Sequence, residues 1–156
     1  MSDAGSARPA EEAGICERIV AARDAGISIV RIDTTQVDAP EEAARRLGLG
    51  EAAAARAITE GEARAILGAV LAEDMAYSVA VVEPAEAARL AEAFVEAFRG
   101  EPARYFTNGT WRIQAHSRSG NLGLSGWTPA TSATFDSGVL VVAATRIGCA
   151  WFMDED

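Results

Sequence analysis

The chain holds one histidine, the one side chain whose unperturbed titration lies near neutral pH. His116 lies in Gln114-Ala115-His116-Ser117-Arg118. Unperturbed, its imidazole titrates at about pH 6.5 and could act as a general base. Asp136 is the only carboxylate between Glu101 and Asp154 and could orient it, with Ser117, Ser119, Ser125 or Thr134 as hydroxyl nucleophiles. Gly123-Leu124-Ser125-Gly126 falls one residue short of the Gly-x-Ser-x-Gly elbow. The simpler reading makes His116 a surface or hydrogen-bonded strand residue. It makes Asp136, beside Ser137-Gly138, the acceptor of an Asx-type turn. No catalytic residue is assigned; His116 and Asp136 are the pair on which an enzyme or small-ligand reading would rest, with Arg112 and Trp127 beside them.

Other motifs resolve into structural roles. The glycines of residues 119–126 lack the lysine of a phosphate loop, since all 14 basic residues are arginine. Strand signals, not a helix, follow them, which excludes a dinucleotide fingerprint. Residues 40–58 have the outline of a helix-turn-helix, but the second helix would present Glu51, four alanines and Arg56, a poor surface for reading bases. One histidine, two distant cysteines (Cys16 and Cys149) and dispersed acids supply no metal-ligand set. No cofactor is expected, and both cysteines read as small core residues.

These residues need elements to hold them. Pro9 to about Asp24 has helical spacing, with Gly26 as its stop. Ile27–Ile32 is β-branched and apolar on both faces, which predicts an interior strand. Asp38 is a candidate N-cap for a helix to Leu47. An alanine-rich stretch runs from Glu51 to Ile58. Thr59-Glu60-Gly61-Glu62 is a capping box, and Ala63, Ile66, Leu67, Val70 and Leu71 form one apolar stripe behind it. Ala76–Val82 reads as a strand. Pro84 opens a helix whose inner face is Ala87, Leu90, Ala91, Phe94 and Phe98.

Beyond residue 102 the character changes: seven of the ten aromatic residues lie in 105–156. Strands are expected at Arg104–Thr107, Trp111–Ser117, Asn121–Gly126, Ala133–Phe135 with Val139–Ala144, and Cys149–Met153. Turns are expected at Ser119–Asn121 and Arg146–Gly148, and Asn108-Gly109 is a strong hairpin signal. The expected fold is therefore a single α+β domain over residues 9–153. N-terminal helices pack on one face of a mostly antiparallel sheet, formed largely by the C-terminal third. Residues 1–8 are expected as a disordered tail and 154–156 as an acidic end.

The 156 residues carry a formal charge of −9, unevenly spread. Residues 1–101 hold 19 acids and 10 arginines; residues 102–153 hold one acid and four arginines. This balance argues against binding nucleic acid or an anionic membrane. No segment has the length of a spanning helix or the pattern of a signal peptide. A cytoplasmic protein is expected, and arginine for every lysine with abundant alanine fits a GC-rich bacterial genome. The function expected is binding to another protein, without catalysis, as in an immunity- or antitoxin-type inhibitor of a basic partner. Two surfaces are candidates: the acidic helix faces (Glu73, Asp74, Glu86, Glu92, Glu96) and a neutral aromatic sheet face (Tyr105, Trp111, Arg112, His116, Arg118, Trp127). Self-association through a sheet edge or the tryptophan face is compatible with either.

Overall fold

A computed structural model describes residues 2–77, 79–113 and 122–155. In chain order the elements are helix α1 (Ser2–Ala22), strand β1 (Ile27–Asp33), helix α2 (Pro40–Arg46), a 3-10 turn (Glu51–Ala54), strand β2 (Arg56–Ile58), and helices α3 (Glu60–Ala72) and α4 (Pro84–Glu96). Strands β3 (Ala103–Thr107), β4 (Gly109–Ile113), β5 (Leu122–Trp127), β6 (Phe135–Ala143) and β7 (Ile147–Asp154) follow. This is a single α+β domain. Its main sheet is antiparallel with strand order β1-β7-β6-β3-β2, and β4 and β5 form a separate two-stranded ribbon.

The helix signals translate directly. The Thr59 hydroxyl accepts from the Glu62 amide at 3.0 Å while the Glu62 carboxylate accepts from the Thr59 amide at 2.8 Å, so the capping box closes α3 from both sides. Pro84 stands in the first turn of α4, capped by the Glu83 carboxylate. Helix α2 starts after Ala39 with no side-chain cap, so the expected role of Asp38 is not realised. Helix α1 takes in residues 2–8, expected as a tail.

Alternation along β6 and β7 shows why the sheet needs cover on both sides. Val139, Val141, Ala150 and Phe152 join the core under α1, α3 and α4. Leu140, Val142, Ile147, Cys149 and Trp151 join a second core with Val37 before α2, Ala43 within it, Leu47 at its end and Ala53 of the 3-10 turn. Side chains two apart share a face, so the unbroken apolar runs of β6 and β7 signify a sheet buried twice. The helices therefore divide between the two faces.

Four expectations change. Strand β1 is at the edge of the sheet; its two apolar faces meet one core each, Val30 and Ile32 on one side and Ile29 on the other. Among the described residues of 76–82 there is no strand, only an isolated bridge of Ala80 to Glu73. The segment folds back on the end of α3, where the Val81 and Val82 amides bond the Ala72 carbonyl and the Tyr77 amide bonds the Asp74 carboxylate. Asn108-Gly109 is no hairpin turn: β3 pairs with β2 and β6, β4 pairs with β5, and the dipeptide is where the chain leaves the sheet for the ribbon. Gly109 is required by proximity, because a Cβ there would sit 2.3 Å from the Gly126 carbonyl oxygen. Finally, Asp154 is the last residue of β7 and is buried, so it does not belong to a solvated acidic end.

Candidate interaction surface

Asp136, the second residue of β6, has no exposed surface. Its carboxylate accepts from Asn108 Nδ2 (2.9 Å), the Thr131 hydroxyl (2.6 Å), the amides of Ala130 and Thr131 (3.0 and 2.8 Å) and Trp151 Nε1 (3.3 Å). Asn108 is held in turn: its Nδ2 donates to the Thr128 and Asp136 carbonyls, and its Oδ1 accepts from the Ser137 hydroxyl at 2.7 Å. A buried carboxylate needs this many donors to offset lost hydration. The arrangement pins the 128–134 loop to β6 and β7 and presents no acceptor to a ligand. The amides that Asp136 binds lie five and six residues before it, so it organises the preceding loop and forms no Asx turn with Ser137-Gly138.

The other sequence candidates scatter. His116 and Arg118 lie outside the described residues, as do Ser117 and Ser119; Arg112 is placed by its backbone in β4. Tyr105 is buried on the α3 side of the sheet, and its burial, with Glu60 nearby, raises its phenol pKa. Trp111 is half-buried against the same core, and Trp127 stacks on Phe135 with ring centroids 5.4 Å apart. Both faces of the main sheet are covered, so these aromatics form no open sheet face. Ser125 donates to the Thr110 carbonyl and Thr134 to Glu155.

Two buried arginines carry ion pairs that sequence spacing does not reveal. Arg23 grips Asp154 with two bonds of 2.9 and 2.8 Å and donates to the carbonyls of Val70 and Ala25. The Met75 amide also bonds Asp154, so one carboxylate ties the ends of α1, β7 and the segment after α3. Arg146 pairs with Glu12 and Glu101 and lies over the Phe98 ring. Burial pushes the Glu101 carboxyl upward, but bonds from the Thr145 amide and from Arg146 outweigh it and leave its pKa below the ordinary value. No group of three or more metal-ligating side chains gathers among the described residues. Both thiols favour the protonated form: burial, then Glu12, raises half-buried Cys16 to about 11, and burial raises Cys149 to about 12.

No protein-family model, no curated protein and no solved structure matches this chain.

The acidic face divides in two. On α4, Glu86 pairs with Arg89 (2.9 Å), Glu92 with Arg64 (2.6 Å) and Glu96 with Arg99. At the end of the molecule where β1 begins and β7 stops, Asp24, Asp74 and Glu155 have no arginine within ion-pair distance among the described residues. Glu73 stands beside them, its carbonyl accepting from Arg23. A cleft of about 340 Å³ opens there between Ile27, Asp74, Ala133, Met153 and Glu155. Three of the most exposed large apolar side chains border it or the adjoining turn: Ile27, Tyr77 and Val79, at 66, 64 and 55% exposure. Sequence reading selected Glu73 and Asp74 but missed Ile27, Tyr77 and Val79, which it placed inside strands. The contrast between their apolar character and the run of turn-making residues Glu73-Asp74 was the available signal. No helix among the described residues is long and apolar enough to cross a membrane.

Proposed function

We propose that this protein acts by binding a basic protein, without catalysis of its own, and that it does so through the acid-rimmed apolar end. The observation that supports this reading is the pairing of three exposed apolar side chains with carboxylates that have no arginine within ion-pair distance among the described residues. Apolar surface rimmed by polar groups is a common mark of an association site. Unpaired carboxylates steer a cationic partner and reject an anionic one, which favours speed and selectivity of encounter. An inhibitor of a basic toxin or nuclease, of the immunity or antitoxin kind, is the role that best fits a small acidic chain of this design.

The reading is tested by affinity capture from the native host, followed by titration of the captured partner from about 50 to about 500 mM salt. A basic partner whose association slows steeply with salt supports it. A partner that is indifferent to salt, or an activity lost in His116→Ala with the fold intact, overturns it.

A further inference from the structure

The same end of the molecule is the start of a strand edge that no described residue pairs. Strand β1 runs seven residues and, among the described residues, is paired along one side only, with β7. Among the described residues, the bonds to the β1 backbone outside its ladder are the Thr35 amide donating to the Asp33 carbonyl and the Cys149 thiol donating to the Ile29 carbonyl. An edge of this length leaves backbone donors and acceptors aligned for another strand, and natural sheets usually block such edges. The opposite edge, β2, has only three residues. On β1 the single basic side chain, Arg31, is closed on Asp33 at 2.9 Å, so the strand presents no net positive charge. At its start stand Ile27, 66% exposed, and the acids Asp74 and Glu155, with Asp24 three residues before Ile27 in the chain.

Resting on the binding function proposed above, we infer that β1 is a receptor edge for an extended, arginine- or lysine-bearing segment of the partner protein, which adds to the sheet as a sixth strand. Backbone bonds would supply affinity regardless of sequence, and side chains would supply selectivity. The residue opposite Ile27 is apolar, because neighbouring strands lie about 4.8 Å apart and bring facing side chains into contact. Its flanking residues are cationic, because Asp24, Asp74 and Glu155 have no ion-pair partner among the described residues. A second copy of this chain is the poorer occupant: it carries the same acids to the same place, and the chain is already at −9.

The probe is a fluorescent peptide of about ten residues alternating arginine and valine, with a control of identical sequence N-methylated at alternate amides. The inference predicts that the wild-type protein binds the unmethylated peptide at least about tenfold more tightly than the control. It also predicts that Ile27→Glu weakens binding by about tenfold even though it adds a negative charge. Ile27 is largely exposed, and circular dichroism confirms that the variant is folded. Equal binding of the two peptides overturns strand addition, and so does tighter binding by Ile27→Glu, because both are the behaviour of charge attraction alone. A dimer in sedimentation that Ile27→Glu dissolves also overturns it, by placing a second copy on the edge. Should the captured native partner be lost in Asp24→Asn with Asp74→Asn but retained in Ile27→Glu, strand addition falls while the binding function stands.

Discussion

Helix α4 and the end of the molecule beside β1 carry similar acidic residues to opposite effect. On α4 every acid of the predicted face meets an arginine, at one turn's distance for Glu86 and Glu96 and across to α3 for Glu92. Such exposed pairs stabilise little and cancel the local field. Beside β1, Asp74 and Glu155 meet backbone and hydroxyl groups, and no described arginine lies within ion-pair distance of them or of Asp24. A count of acids along the sequence therefore overstates α4 and understates the strand end. What decides whether an acidic residue can attract a partner is where the arginines are, and that is a property of the fold.

The comparison can be broken at its buried member first. Asp154 lies at the acidic end but belongs to the core, so Asp154→Asn is expected to cost about 3–5 kcal/mol in urea unfolding, as for other broken buried pairs. A loss below about 1 kcal/mol would return Asp154 to the solvated rim. Glu92→Gln, by contrast, removes one exposed partner of Arg64, which keeps Glu60 at 2.5 Å, and is expected to cost less than about 1 kcal/mol by the same measurement.

Acid titration separates a third setting. Glu101 has a lowered folded pKa, so it releases its proton more readily in the folded state than in the unfolded one. Its stabilising contribution is complete above the unfolded value of about 4.3 and is lost as pH falls through the folded value. Unfolding free energy measured between about pH 6 and pH 3 should fall less steeply in Glu101→Gln than in the wild type. An unchanged slope would remove Glu101 from the Arg146 cluster. The smallest expected effect is chemical. With pKa values of about 11 and about 12, Cys16 and Cys149 should resist alkylation in the native protein and react fully only after denaturation.

Much of this was legible in the residues, and the failures have physical reasons. Thr59-Glu62 and the stripe behind it specify α3 locally, as Pro84 and its apolar face specify α4. The final strands were readable from their β-branched and aromatic runs, which is why the α+β class follows from sequence. Two errors came from local signals that tertiary structure overrode. Asn108-Gly109 has hairpin chemistry, but Asn108 spends its amide on Asp136 and Thr128 and directs the chain out of the sheet. Residues 76–82 have strand composition, but the end of α3 claims their amides. The ion pairs were invisible because their partners are distant: Arg23 and Asp154 are separated by 131 residues, Glu12 and Arg146 by 134. No periodicity links such residues. Asp136 was conspicuous for its isolation in the sequence, and the fold explains that isolation by enclosing it with five donors.

The central claim is that unneutralised charge at the β1–β7 end, and not acidity in general, engages a basic partner. Asp24→Asn with Asp74→Asn and Glu86→Gln with Glu92→Gln change the net charge equally, and the association rate of each double variant with the captured partner at about 50 mM salt compares the two regions directly. The account predicts a rate reduced by about tenfold or more for the first and nearly unchanged for the second. Equal reductions in both would contradict it.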